Sequence, residues 1–208
     1  MFRRRTDGAA RRGTPADWVV VGLANPGVEY EGTRHNIGGA IVSELADRLG
    51  VKLKPDPRMR ARFAETSTSG SRVLLAVPMT YMNESGAAVV PLLRRAGFED
   101  LGRLLIVHDE LDLAPGRLQL KVGGGLAGNN GLRSISGALG SNDFARLRVG
   151  IGKPPSKDRG ADWVLSRPGG SDRQLLEESV VSGADVVAQV LANGIDAAIA
   201  TLNGSAGA

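Results

Sequence analysis

Residues 19–39 read VVVGLANPGVEYEGTRHNIGG, and how this stretch is parsed decides the fold. Residues 18–23 are a short apolar, β-branched run ending in a turn, the pattern of a buried strand. Gly22-Leu23-Ala24-Asn25-Pro26-Gly27 then offers a relaxed dinucleotide-binding fingerprint, with Ala24 in place of the second glycine. That fingerprint needs a helix to open on the glycine turn, so that its N-terminus meets the pyrophosphate. It also needs an acidic residue about 20 positions on, at the end of the next strand. Here residues 28–35 carry no helical periodicity. The acidic position falls near Asp47, inside an amphipathic segment that places Ile41, Leu45 and Leu49 on one face. A nicotinamide or flavin site is therefore not expected, and His35, one of two histidines in the chain, becomes the residue to explain.

Working outward, residues 37–49 read as a helix, with Asn36 at the N-cap position and Gly50 as the stop. Residues 62–66 and 72–77 read as strands joined by Ser67-Thr68-Ser69-Gly70. Residues 83–96 look helical, with Pro91 as a possible kink. Residues 103–107 form a third strong strand running into His108-Asp109-Glu110. Residues 118–122 alternate weakly before a glycine cluster. Residues 130–139 read as a helix and 145–151 as a strand. Ser171-Asp172-Arg173-Gln174 has capping-box form and opens a long helix with Leu176, Val180, Val187 and Leu191 largely on one face. Strands and helices interleave without linker or repeat. This predicts a single α/β domain: a central, twisted, mostly parallel but mixed sheet with helices on both faces.

The 208 residues carry a net charge of +4. Residues 1–17 hold five arginines against two aspartates, which leaves only +1 for the rest. The expectation is a disordered, Arg-rich tail over residues 1–17 and a folded domain over residues 18–208. Any polyanion site on the nearly neutral body must be a local cluster. There are no cysteines, which excludes disulfides, thiolate catalysis and Cys-ligated metal and suits a reducing compartment. No apolar run approaches the roughly 18 residues of a membrane span. The arginines at the start are not followed by a hydrophobic stretch, so no secretory signal is expected.

Three segments bring polar groups to strand ends, where ligands of α/β folds gather. They supply Asn25 and His35, then Asn83, then Asp109. Alternation puts His108 and Asp109 on opposite sheet faces. Asp109 is suited to hold a neutral histidine in one tautomer. A Gly-x-Ser-x-Gly elbow is absent and no cysteine exists, so direct activation of water by His35 is the simplest chemistry. Asparagine amides can donate to a developing oxyanion. No ligand-spaced histidine pair supports a metal. The segment from Gly123 to Gly131 lacks the Gly-Lys-Ser/Thr ending of a P-loop. It can be read as a mobile loop, a lid, or a set of amides that meets phosphate.

The blocks GLANPGVEYEGTRHNIG, PMTYMNESG, HDELDLAPGRLQLKVGGG, GNNGLRSI and FARLRVGIGKP occur in this order. Together they resemble the bacterial-type peptidyl-tRNA hydrolases, over residues 18–203. The resemblance implies a monomeric, cytoplasmic enzyme without metal or cofactor. Its partner would be the acceptor stem and 3′ end of peptidyl-tRNA, and it would cleave the ester between peptide and terminal ribose. His35 would be the base and Asp109 its orienting partner. Asn25 and Asn83 would hold the substrate end and the attacking water, and Asn130 the substrate carbonyl. Tyr30 and Met82 would contact substrate. Lys121 and Arg148 would meet the 5′-phosphate and acceptor stem. One departure stands out: Asn129 occupies the position where the family usually has a histidine that is not the base. It keeps a donor and an acceptor but loses the titratable ring. The competing expectation is a non-catalytic RNA-binding relative, which has no physical need for His35, Asp109, Asn25, Asn83 and Asn130 together.

Overall fold

The structure, a computed structural model, describes residues 15–98 and 100–204. The strands are β1 (Trp18–Gly22), β2 (Lys54–Asp56), β3 (Ala61–Thr68), β4 (Ser71–Pro78), β5 (Leu104–Glu110), β6 (Leu118–Val122) and β7 (Ala145–Gly150). They pair as one seven-stranded sheet in the order β2-β3-β4-β1-β5-β7-β6. The four central strands β4, β1, β5 and β7 run parallel, whereas β2, β3 and β6 pair antiparallel towards the edges. This is the expected mixed α/β sheet. The uninterrupted burial of β1 and β5 follows from helices covering both faces of the parallel strands.

The helices are α1 (Ile37–Arg48), α2 (Gly86–Ala96), α3 (Asn130–Leu139), α4 (Gly160–Leu165), α5 (Gly170–Asn193) and α6 (Ile195–Gly204). Alternate residues of β1, β4 and β5 feed two cores. Val20, Leu75, Leu105 and Val107 face Ile41 and Val42 of α1 and Val187 and Leu191 of α5. Val19, Val21, Leu74 and Ile106 face Leu92 and Leu93 of α2 and Leu132 and Ile135 of α3. The predicted stripe on the long helix is realised: Leu176, Val187 and Leu191 are buried and Val180 packs against them.

Several local readings change. The helix expected from residue 83 begins at Gly86, because Met82–Glu84 form a separate 3-10 turn. The capping box at residues 171–174 is not formed: Gly169 precedes α5, and Asp172 turns to Arg34 instead. Asn36 precedes α1 but makes no side-chain cap, because its amide is committed to Asn25. Strand β5 extends through Glu110, so His108 and Asp109 lie within the sheet. Residues 1–14 of the expected tail lie outside the described residues. Residues 15–17 are tied to the domain. The Ala16 N–H donates to the Ala96 carbonyl (3.0 Å) and the Asp17 N–H to that of Arg72 (2.8 Å). The Asp17 carboxylate accepts the Arg72 N–H (2.8 Å).

Candidate active site

β1 lies between β4 and β5. The C-terminal ends of these parallel strands therefore open side by side, the edge at which α/β folds place ligands. The opening stretch is bent over this edge by close backbone contact. A Cβ added at Gly22 would stand 2.2 Å from the Gly38 carbonyl oxygen, and one at Gly38 2.1 Å from that of Val107. Only glycine at both positions lets the start of α1 rest on β1 and β5. The glycines that suggest a nucleotide cradle thus serve a crossing of main chains. That crossing sets the 3-10 turn Arg34–Asn36 above the end of β5.

Arg34, 5% exposed, pins the turn. Its guanidinium donates to the Ser166 hydroxyl and the Asp172 carboxylate, each at 2.9 Å, and lies 3.9 Å over the Trp163 ring. Next to it, His35 Nδ1 sits 2.8 Å from Asp109 Oδ1. A carboxylate only accepts, so Nδ1 carries a hydrogen, and in the neutral ring the lone pair lies on Nε2. Both residues are buried at the floor of a cavity of about 250 Å³. Asn129 and Asn130 line one side of it, and Gly160, Ala161 and Val164 of α4 line the other. The opposite-face reading of β5 holds. Asp109 turns to His35, whereas His108 is fully buried beside Asp109 and donates from Nδ1 to the Asp109 carbonyl at 2.7 Å.

The asparagines divide their work. Asn25 and Asn36 bond reciprocally: the Asn25 N–H donates to Asn36 Oδ1 (2.8 Å), and Asn36 Nδ2 donates to the Asn25 carbonyl (2.9 Å). Asn25 Oδ1 accepts the Met82 N–H at 2.8 Å, which fixes its amide and turns Nδ2 away from that contact. Asn25 lines a second cavity of about 350 Å³ with Gly27, Met79 and Arg62, not the one that holds His35. Met82 is 4% exposed and packs in the core, so its link to the site runs through its backbone. Tyr30 meets Tyr81 edge-on, with ring centroids 6.4 Å apart. Asn83 is exposed on its 3-10 turn, and Asn130 is exposed at the start of α3.

The expected cations differ. Lys121 is exposed and forms no ion pair among the described residues. Arg148 is engaged: its guanidinium bonds Glu110 Oε2 at 2.9 Å and also Gln119. Arg146, which the sequence did not single out, and Asn129, which it marked only as a departure from the family, shape the glycine-rich segment. Arg146, 1% exposed, donates to the carbonyls of Gly123 and Gly125. Burial, and then the neighbouring Arg148, lower its pKa. Asn129 accepts the N–H groups of Gly131 (2.9 Å) and Leu132 (3.1 Å) and donates to Asp109 Oδ1 (3.1 Å). Among the described residues no three His, Cys, Asp or Glu side chains converge as a metal site would require.

A histidine held by a carboxylate, at the carboxyl end of a parallel sheet with two asparagines lining the same cavity, is an arrangement able to support hydrolysis. The chain belongs to the peptidyl-tRNA hydrolase family, whose sequence profile matches residues 19–207. The peptidyl-tRNA hydrolase of Cutibacterium acnes is 44% identical over 191 residues, which covers 87% of this chain and 95% of that one. That of Mycolicibacterium vanbaalenii is 45% identical over 185 residues, 89% and 96%. The crystal structure of peptidyl-tRNA hydrolase from Acinetobacter baumannii superposes with a TM-score of 0.84 at 40% identity and covers 92% of this chain and 97% of its own. The family is enzymatic, so the non-catalytic alternative is not favoured. No helix among the described residues is long and apolar enough to cross a membrane.

Proposed function

We propose that the His35–Asp109 pair activates the water with which this family member hydrolyses peptidyl-tRNA. The carrying observation is the 2.8 Å contact between His35 Nδ1 and Asp109 Oδ1, which in the neutral ring places the lone pair on Nε2. Nε2 takes a proton from water as the oxygen attacks the ester carbonyl carbon. The Asn130 amide, exposed on the cavity wall, donates to the developing oxyanion. The C–O bond to the ribose then breaks, and His35 returns its proton to the ribose oxygen. The products are a peptide carboxylate and free tRNA. Asp109 stabilises the imidazolium between the two steps.

Asn25, whose Oδ1 is committed to Met82, presents Nδ2 to the substrate end, together with Asn83 and the Tyr30 ring. Lys121 is the freer of the two expected phosphate contacts. Recognition through phosphates and shape serves every tRNA alike. A cytoplasmic monomer fits this role and the absence of cysteines. Replacing His35 with Ala is expected to abolish turnover of N-acyl-aminoacyl-tRNA while circular dichroism stays that of wild type. Near-full activity in that variant would refute the mechanism.

A further inference from the structure

Asn129 joins two parts of the site that are otherwise separate. Its Oδ1 accepts two N–H groups in the first turn of α3, the work of an N-cap. These two donors fix the orientation of the amide, because only oxygen can accept them. Nδ2 must then point the other way, and it meets Asp109 Oδ1 at 3.1 Å. The same carboxylate oxygen receives His35 Nδ1. One oxygen of Asp109 thus holds two donors, one from the base and one from the cap of α3. The residue after Asn129 is Asn130, the proposed oxyanion donor.

We infer that Asn129 is a positioning residue for the reaction: it locks the Asp109 carboxylate towards His35 and ties it to the helix start that carries Asn130. This rests on the hydrolase reading above. Asn129 supplies a donor that does not change charge with pH. The charge-assisted bond from its amide restrains rotation of the carboxylate, so Nδ1 of His35 keeps its partner through the catalytic cycle.

Capping and donation can be separated by substitution. Ser caps a helix about as well as Asn, but its hydroxyl is too short to reach Asp109 while it caps. Asn129→Ser should therefore melt within a few degrees of wild type, yet lose about tenfold in kcat with KM changed by less than about twofold. Outer-shell partners that orient metal-bound histidines carry about 10–100-fold in metal affinity or activity; the lower end is taken by analogy for this metal-free pair, because Asp109 itself remains. Asn129→His keeps an N–H donor while capping poorly, so it should keep most of kcat at a lowered Tm. The expected pattern is loss of rate without loss of stability in one variant, and loss of stability without loss of rate in the other. If kcat simply followed Tm across both variants, or if Asn129→Ser kept wild-type kcat, Asn129 would be a helix cap and no more. An inactive wild type would overturn the hydrolase reading and this inference with it.

Discussion

The chain's two histidines sit in opposite kinds of surroundings. His35 has a carboxylate at one ring nitrogen and a cavity at the other. His108 is fully buried, with Nε2 lacking a hydrogen-bond partner among the described residues. Burial pushes its pKa down, and the nearby charges of Asp109 and Glu110 offset this only in part. The consequence for stability has a definite sign. A histidine whose folded pKa is depressed stays neutral in the native state while the unfolded chain takes up a proton. Its contribution is complete above the unfolded value of about 6.5 and is lost as pH falls below it. The urea-unfolding free energy should thus fall more steeply between about pH 7.5 and 5.5 in wild type than in His108→Asn. Equal slopes would show that His108 takes its proton in the folded state. From the sequence, the histidines could be told apart only by the alternation of β5 and by family resemblance. The amide of Asn129 and the guanidinium of Arg34 were not legible as site supports, because their partners lie 20 and 138 residues away.

The crossing of β1, α1 and β5 is the unit that makes the site. It was legible in part: a strand, a delayed helix and a run of glycines were plain. What the glycines do was not, because the contact partners Gly38 and Val107 are separated in sequence and share no motif. Apolar runs long enough to be buried on both faces gave themselves away, as in β1, β4 and β5. The three residues of β2 and the six of α4 are too short for periodicity to register, although α4 forms one wall of the cavity. The crossing predicts a sharp response to a small change. Gly38→Ala places a methyl where backbone oxygen stands at 2.1 Å, and overpacking of this kind costs about 1–3 kcal/mol or more. Thermal unfolding should show a drop of several degrees, since each kcal/mol is worth about 2–4 °C at this chain length. Activity should fall with it, because α1 carries the turn that holds His35. A wild-type Tm in Gly38→Ala would mean that the backbones are not packed so closely.

For the molecule as a whole, charge distribution decides how a nearly neutral body holds a polyanion. The expected phosphate contacts separate into different roles. Arg148 crosses from β7 to Glu110 on β5, whose side chain is only 2% exposed. Removing the guanidinium strands a buried carboxylate, which typically costs about 3–5 kcal/mol. Lys121 is exposed and unpaired among the described residues. Lys121→Ala should leave stability within about 0.5 kcal/mol of wild type and weaken tRNA binding. It should flatten the dependence of log K on log salt by about 0.7–0.9 units, while hydrolysis of a minimal peptidyl-nucleoside stays unchanged. Arg148→Ala should instead show its main loss in urea unfolding. If Lys121→Ala slowed both substrates equally, Lys121 would belong to the chemistry; if Arg148→Ala unfolded like wild type, the Glu110 pair would not support the fold.

The central claim is that His35, oriented by Asp109, drives hydrolysis of the peptidyl–tRNA ester. Its most direct test is the release of free tRNA from N-acyl-aminoacyl-tRNA, followed by gel electrophoresis for wild type and His35→Ala side by side with EDTA present. Rapid release by wild type and none above background by the variant is the predicted result. Equal release by both proteins, or none by wild type, would contradict it.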